Sequence, residues 1–215
     1  MTARFATVVL DVDSTLSRIE GIDWLAERRG AEVAATIRAL TQDAMRGLIP
    51  LESVYGKRLE IIRPSRMEIE ALGVAYREHV APGARAAFDR MRAAGVKLIL
   101  VSGGLRQAIE PLARSLSVED ADLHAVRIDF EEDGSYRGFD VASPLATSTG
   151  KATVLRQLTL ARPVLAVGDG ATDVAMRDVA DTFAAYVGFA RRENVVAKAD
   201  LVVDSFADIA DRVIA

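Results

Sequence analysis

The stretch Phe5-Ala6-Thr7-Val8-Val9-Leu10, followed at once by Asp11-Val12-Asp13-Ser14-Thr15-Leu16, decides the fold of this chain. An apolar run rich in β-branched residues is typical of a buried parallel strand. In an open α/β sheet, ligands bind just beyond the carboxyl ends of the strands. The pattern therefore places two carboxylates, Asp11 and Asp13, where such proteins carry out their chemistry, although Asp and Ser-Thr also close strands and cap the following turn.

The composition is that of an ordinary globular protein and argues against several functional classes. A chain of 215 residues, half of them apolar, can bury a full core. The net charge of −4 and the 6% of aromatic residues do not suit a nucleic-acid partner, which needs basic patches and stacking platforms. There is no cysteine, which excludes disulfides, thiolate metal sites and cysteine nucleophiles.

Targeting and membrane signals are also missing from the sequence. No apolar run approaches the roughly 20 residues that span a bilayer, and the run before Asp11 is too short for a signal peptide. We therefore expect no membrane partner and, by elimination, a cytoplasmic protein. The sequence carries no signal for an oligomeric state.

Strand-like runs alternate with amphipathic helical stretches along most of the chain. Further strands are predicted at residues 96–101, 164–167, 183–187 and 201–203. Helices are predicted at residues 82–94, 104–116, 151–160 and 172–179. This alternation predicts an α/β fold with a doubly wound parallel sheet covered on both faces.

Two segments break the alternation. Residues 17–80 show helical spacing of apolar residues and no convincing strand, which indicates a small helical cap domain inserted after the first strand. Residues 123–141 alternate apolar and polar side chains on either side of Asp133-Gly134, which predicts a β-hairpin. The predicted domains are therefore an α/β core of residues 1–16 and 81–215 and a cap of residues 17–80.

Three further segments place polar groups after predicted strands or at the starts of predicted helices. Ser102-Gly103-Gly104 offers a hydroxyl and approachable backbone amides, which suit an oxyanion or a phosphate. Lys151 opens a helix, where a cation is disfavoured unless solvent or an anion stabilises it. Gly168-Asp169-Gly170-Ala171-Thr172-Asp173 adds two more acids, although Asp173 could simply cap a helix.

Taken together, these segments predict one site at one edge of the sheet. Carboxylate oxygens suit Mg²⁺ rather than Zn²⁺. A cation, a lysine and a hydroxyl would surround a phosphoryl group, and a carboxylate could act as its nucleophile. The residues concerned are Asp11, Asp13, Ser102, Lys151, Asp169 and Asp173.

The four segments resemble the four motifs of the haloacid dehalogenase superfamily, and nearly the whole chain resembles its phosphoserine phosphatase family. That resemblance implies a Rossmann-like core and Mg²⁺-dependent hydrolysis of a small phosphate ester, O-phospho-L-serine, through an aspartyl phosphate. It implies that Asp11 is the nucleophile and Asp13 the general acid and base. It also implies that the Asp11 carboxylate, the Asp13 backbone carbonyl and Asp169 bind Mg²⁺, with Asp173 supporting the metal and Lys151.

The same resemblance implies a set of substrate-binding residues. Glu20 and Arg58 match the positions that recognise the amino-acid ammonium and carboxylate, which suits their charges. Thr172 stands where many relatives carry Asn, and Leu51 where some carry Phe. The implied set is Glu20, Met45, Leu51, Arg58, Ser102, Gly103, Gly104, Lys151 and Thr172.

Other functions remain compatible with the sequence. The same chemistry could transfer the phosphoryl group to a small alcohol such as homoserine, or could act on another small phosphorylated metabolite. A receiver domain also combines strand-end aspartates, a hydroxyl and a lysine around Mg²⁺, but the long insertion and Asp13 argue against it. An inactive binding module is disfavoured because every expected catalytic position is filled.

Overall fold

A six-stranded parallel sheet forms the centre of the protein, and the computed structural model describes residues 3–214. Its strand order is β3-β2-β1-β6-β7-β8, and a separate antiparallel ribbon is formed by β4 and β5. The strands are β1 (Thr7–Leu10), β2 (Lys97–Leu105), β3 (Leu123–Val126), β4 (Ile128–Phe130), β5 (Tyr136–Phe139), β6 (Val164–Gly168), β7 (Thr182–Tyr186) and β8 (Leu201–Val203). The predicted parallel α/β sheet is confirmed.

The two innermost strands, β1 and β6, explain where the site lies. Every residue of both strands is buried, as their apolar sequences require. They pair in parallel, from Thr7 opposite Val164 to Leu10 opposite Val167. The chain order reverses between them, so the crevice beyond their carboxyl ends is the topological switch point at which open α/β sheets bind ligands.

Besides shifts of a few residues at other ends and a predicted helix 172–179 that is α-helical only over Ala171–Val174, two features differ from the sequence prediction. Strand β2 continues through Ser102-Gly103-Gly104 to Leu105, so the next helix begins at Arg106 rather than at Gly104. The segment Leu123–Val126 pairs in parallel with β2 and belongs to the main sheet, whereas only β4 and β5 form the predicted hairpin. Short apolar runs carry no signal for the partner strand, which tertiary packing selects.

Ten helices surround the sheet within the described residues. They are α1 (Gly21–Ala26), α2 (Ala31–Met45), α3 (Tyr55–Ile62), α4 (Arg66–Glu78), α5 (Ala84–Ala93), α6 (Arg106–Ser115), α7 (Gly150–Gln157), α8 (Ala171–Val174), α9 (Glu193–Val196) and α10 (Phe206–Val213). Between residues 3 and 214, no helix is both long and apolar enough to cross a bilayer.

Residues 17–80, all of which the structure describes, form the helices α1–α4 and contain no strand. The two ends of this segment meet at an antiparallel bridge between Ser17 and Val80. The Ser17 hydroxyl donates to the carbonyls of Tyr76 and His79, at 3.3 and 3.2 Å. The helical segment therefore leaves the core and returns to it at neighbouring points.

An ion pair at the start of α4 fixes the packing of this helical segment. Ser65 and Glu68 form a reciprocal capping box, and Arg29 donates to both carboxylate oxygens of Glu68 at 2.5 and 2.8 Å. Arg29 also donates to the carbonyl of Ile62 at 2.7 Å, which joins the end of α3 to the start of α4. The Arg29 hydrogen bonds lower the pKa of Glu68 to about 2.

This depressed pKa predicts a pH-dependent contribution to stability. Glu68→Gln is expected to lower the free energy of unfolding at pH 7. Because a carboxylate with a lowered folded-state pKa stabilises above its unfolded pKa of 4.5, the difference from wild type should shrink between pH 4.5 and 2. Urea unfolding at pH 7, 4 and 3 measures this, with the exposed Glu70→Gln as control. A difference of equal size at pH 7 and pH 3 would contradict the assignment.

Candidate active site

The loop that carries Asp11 and Asp13 begins where β1 ends. The Asp11 amide donates to the Val167 carbonyl at 3.0 Å, which holds this residue against the end of β6. Ser14 then adopts a left-handed conformation with φ of 52°, uncommon for a residue other than glycine. Asp11 and Asp13, two residues apart in this loop, both face the crevice, and a strained conformation such as that of Ser14 persists where the surrounding structure holds it.

Lys151 joins two carboxylates at the bottom of the crevice. Its ammonium donates to Asp11 Oδ1 and to Asp173 Oδ1, both at 2.5 Å. All three residues are buried, with Lys151 4% exposed. The helix dipole disfavours a cation at the start of α7, and Lys151 is stabilised there by two anions rather than by solvent.

The charges of this group depend on one another. Burial disfavours the ammonium of Lys151, but Asp11 and Asp173 outweigh that effect and raise its pKa above the usual range. Burial and the nearby Asp173 raise the pKa of Asp11, while Lys151 lowers it. Lys151 therefore stays protonated and is the group that favours the ionised form of Asp11.

Asp13 lies in a different environment from Asp11. Its Oδ1 accepts hydrogen bonds from the Tyr76 hydroxyl and the Gly21 amide, both at 2.7 Å. Its Oδ2 accepts from Ser102 Oγ at 3.1 Å. Burial raises the pKa of Asp13, although these three hydrogen bonds oppose the rise. A raised pKa favours the protonated carboxyl, the form that a general acid needs.

Close approach around Asp13 requires glycine at position 104. A Cβ atom there would lie 2.5 Å from Asp13 Oδ2 and 3.1 Å from Ser102 Oγ. The Gly104 amide donates to Ser102 Oγ at 2.9 Å. The predicted Ser102-Gly103-Gly104 segment thus supports Asp13 from the end of β2, and Ser102 itself is fully buried behind the cavity wall.

Three carboxylates form a candidate cation site. Asp11, Asp169 and Asp173 each offer an oxygen, and these oxygens lie within 4.8 Å of one another. Asp169 Oδ1 accepts from Thr15 Oγ1 at 2.9 Å, whereas its buried Oδ2 accepts no hydrogen bond and only makes an ion pair with Arg192. Three buried carboxylates offer the hard oxygen ligands that suit a divalent cation such as Mg²⁺, and Arg192 contacts one of these oxygens, Asp169 Oδ2.

Asp173 is the anchor of this cluster rather than a simple helix cap. Its Oδ2 accepts from the amides of Asp169 and Gly170, at 3.0 and 2.8 Å, while its other oxygen holds Lys151. A Cβ at Gly168 would lie 2.2 Å from the Asp173 Cγ atom, so only glycine fits at the end of β6. Glycine next to Asp169 in the sequence is therefore explained in part by the close packing of the Asp173 side chain.

Glu20 and Arg58 line the same cavity as Asp11 and Lys151. Glu20 accepts from Ser14 Oγ at 2.7 Å, and burial, with the nearby Asp13, raises its pKa to about 7. The Arg58 side chain is 4% exposed, and its Nε is buried without a partner. Burial lowers the pKa of Arg58, although guanidinium remains charged.

The structure brings nearly all predicted residues to this cavity. The predicted residues on its wall are Asp11, Asp13, Glu20, Met45, Leu51, Arg58, Gly103, Gly104, Lys151 and Thr172. Ser102, Asp169 and Asp173 lie just behind the wall. Of the four predicted aspartates, Asp13 is the one whose carboxylate is outside the acidic cluster. The predicted role of Asp13 in metal binding concerns its backbone carbonyl, which is a separate group.

Sequence reasoning missed four polar residues around the site. Tyr55 and Tyr76 fit the apolar spacing of α3 and α4 and so resemble core residues. Thr41 lies on a cavity-facing part of α2, and Arg192 precedes the short helix α9. A hydroxyl on the apolar face of a helix was the only signal for the tyrosines, and nothing in the sequence marked the other two.

Comparison with known proteins finds consistent relatives. A family model described as haloacid dehalogenase-like hydrolase matches residues 8–178. The phosphoserine phosphatase of Bos taurus is 35% identical over 94% of this chain and 90% of its own length. The chloroplastic phosphoserine phosphatase of Arabidopsis thaliana is 35% identical over 94% of this chain and 70% of its own length.

Solved structures agree with the fold. A phosphoserine phosphohydrolase-like protein from Francisella tularensis has a TM-score of 0.88 and 25% identity, with complete coverage of both chains.

The buried charges predict a strong coupling between Lys151 and Asp11. Lys151→Met is expected to lower the free energy of unfolding by about 3–5 kcal/mol, because two buried carboxylates lose their cation. In an Asp11→Asn background, the same substitution should be clearly less harmful. Urea unfolding at pH 7.5 measures both, with the exposed Lys198→Met as control. Equal losses in the two backgrounds would show that Lys151 does not compensate Asp11.

Proposed function

This chain belongs to the haloacid dehalogenase-like hydrolases and, within them, to the phosphoserine phosphatases, and from that membership we propose that it hydrolyses O-phospho-L-serine to serine and inorganic phosphate. The observation that carries the proposal is one cavity lined both by Lys151 and Asp11 and by Glu20 and Arg58. Phosphoserine combines a phosphate, an ammonium and a carboxylate. A lysine suits the first of these, a glutamate the second and an arginine the third.

Asp11 would act as the nucleophile. Its carboxylate oxygen attacks phosphorus in line with the ester bond, and the electrons of the breaking P–O bond move to the serine oxygen. Lys151, at hydrogen-bond distance from Asp11, favours the ionised carboxylate and contacts the negative charge of the transferring group. The product of this half of the reaction is an aspartyl phosphate and free serine.

Asp13 would move the protons. In its protonated form it donates to the departing serine oxygen, which burial favours by raising its pKa. The resulting carboxylate then takes a proton from the water that attacks phosphorus of the aspartyl phosphate, the bond between phosphorus and the Asp11 oxygen breaks, and inorganic phosphate and the free Asp11 carboxylate result. The hydrogen bonds from Tyr76 and Gly21 hold Asp13 Oδ1, and Ser102 donates to Oδ2.

Mg²⁺ is the proposed cofactor. The Asp11 and Asp169 carboxylates would hold it together with the Asp13 carbonyl, and the close approach of buried carboxylate oxygens from Asp11, Asp169 and Asp173 supports this fit. When bound, the ion would neutralise charge on the phosphate oxygens. Asp173 would support the site by fixing Lys151 and two backbone amides.

The remaining predicted residues would shape the substrate pocket. Ser102 and the backbone at Gly103 and Gly104 would contact the phosphate, with Thr172 at the start of α8. Met45 and Leu51 present apolar surface to the same cavity, which shields it from solvent. Both belong to residues 17–80.

We propose that residues 17–80 act as a cap over the core formed by residues 1–16 and 81–215. The Tyr55 hydroxyl donates to the Gly103 carbonyl at 2.7 Å, and Ser148 Oγ accepts from the Leu51 amide at 2.9 Å. These contacts cross from the helical segment to the sheet edge. Breaking them would open the cavity for water or substrate, and re-forming them would exclude bulk water during phosphoryl transfer.

Asp11→Asn tests the nucleophile. Activity should fall at least about a thousandfold because the amide cannot form the aspartyl phosphate, in line with loss of a covalent catalyst. Stability should not fall, since a buried carboxylate with a raised pKa is removed. Phosphate release and thermal unfolding measure the two effects, with the exposed Asp178→Asn as a matched control. Near-normal turnover by Asp11→Asn would refute the mechanism.

A panel of phosphate esters tests the substrate. Phosphoserine should be preferred over phosphoethanolamine, which lacks the carboxylate, and over p-nitrophenyl phosphate, and EDTA should abolish release in every case. Arg58→Ala should remove the preference for phosphoserine while the aryl phosphate is still hydrolysed. Equal use of all esters by the wild type would contradict the proposal. Loss of phosphate release on adding a small alcohol, with a new ester formed, would indicate phosphotransfer instead.

A further inference from the structure

A chain of hydrogen-bonded side chains, Arg58, Thr41 and Asp23, links three helices. Arg58 on α3 donates from Nη1 to Thr41 Oγ1 on α2 at 2.9 Å. Thr41 in turn donates to Asp23 Oδ1 on α1 at 2.5 Å. Thr41 is 5% exposed and Arg58 4%, whereas Asp23 is half-buried, so the contact between Thr41 and Arg58 is the one that lies fully in the protein interior.

The hydroxyl of Thr41 has an unusual partner for a threonine on a helix. Such hydroxyls commonly donate to the carbonyl one turn earlier, as Thr36 on the same helix does with Glu32 at 3.0 Å. Thr41 instead gives its single proton to Asp23. Its lone pairs are thereby left for Arg58, which can only donate.

Arg58 has few other protein partners. Its Nε is buried and unpaired, and the Tyr55 ring centroid lies 5.5 Å from its Cζ atom. One end of the guanidinium is therefore fixed by Thr41, and at least one donor remains for a ligand in the cavity. A buried polar chain is destabilising unless each member is satisfied, so a chain that ends on an unsatisfied donor indicates a ligand-binding purpose.

We infer that Asp23 and Thr41 are positioning residues that fix the guanidinium of Arg58 for the carboxylate of the substrate, and so set selectivity for an amino-acid ester. This inference rests on the proposed function. Asp23 orients the Thr41 hydroxyl, and Thr41 holds one Nη atom, which leaves the opposite edge of the fork free for two parallel hydrogen bonds to a carboxylate. Neither residue acts on the phosphate.

Thr41→Val tests this chain with a matched pair of substrates. Phosphoethanolamine has the phosphate and ammonium of phosphoserine but no carboxylate. The ratio of kcat/KM for phosphoserine to that for phosphoethanolamine should fall about tenfold in Thr41→Val, the effect of one lost hydrogen bond to a charged group, mainly through KM. Thr41→Ser should restore the ratio. Thr36→Val, an exposed substitution on the same helix, should leave it unchanged.

A double substitution separates positioning from general loss of structure. If Thr41 acts through Arg58, adding Thr41→Val to Arg58→Ala should not lower the ratio further. An additional fall of the same size would overturn the inference, as would an unchanged ratio in Thr41→Val. A wild type with no preference for phosphoserine would instead contradict the proposed function itself.

Substitutions at Asp23 test the end of the hydrogen-bond chain that lies away from Arg58, and their results do not depend on how Thr41→Val folds. Asp23→Asn keeps an oxygen that can accept from Thr41, so it should retain most of the ratio, whereas Asp23→Ala should lower it in the same direction as Thr41→Val. Thermal unfolding of each variant reports stability separately. A lower melting temperature with an unchanged ratio would mean that the chain only joins the helices.

Discussion

A buried ammonium between two buried carboxylates is the interaction on which the site depends. Lys151 satisfies Asp11 and Asp173 together, and Asp173 in turn holds the amides of Asp169 and Gly170. Unpaired charges of this kind are strongly unfavourable in a protein interior. Removing Lys151 would leave two buried carboxylates without their cation, so the loops after β1 and β6 and the start of α7 are held as one unit.

Two buried aspartates of this site, Asp11 and Asp13, have different hydrogen-bond partners. Asp11 faces a cation, whereas Asp13 faces a hydroxyl, a backbone amide and a second hydroxyl. Burial raises the pKa of both carboxyls, and Lys151 is the main group that opposes the rise at Asp11, whereas hydrogen bonds are the main opposing groups at Asp13. In the proposed mechanism, these two environments would serve a nucleophile and an acid that lie two residues apart in sequence.

In the proposed function, the helical segment of residues 17–80 would contribute recognition groups as well as cover. Arg58 reaches the cavity from α3, and the hydrogen bonds through Thr41 to Asp23 connect that guanidinium with two other helices. These buried polar groups belong to the helical segment, whereas Asp11 and Lys151 belong to the sheet edge. In the proposed function, selectivity and catalysis would therefore depend on different parts of the chain, a separation that permits one to vary while the other is kept.

The sequence by itself determined the parallel sheet, the helical character of residues 17–80 and most of the cavity wall, because hydrophobic periodicity and short motifs report local structure and strand ends. It misjudged the end of β2 and the partner of Leu123–Val126, and it held no sign of Thr41 or Arg192 at the site. Only the tertiary structure decided that Tyr76 donates to Asp13, 63 residues away, and that Thr41 lies behind Arg58, 17 residues away. The reason is physical: a hydrogen bond between distant residues depends on how whole helices pack, and no local pattern records that packing.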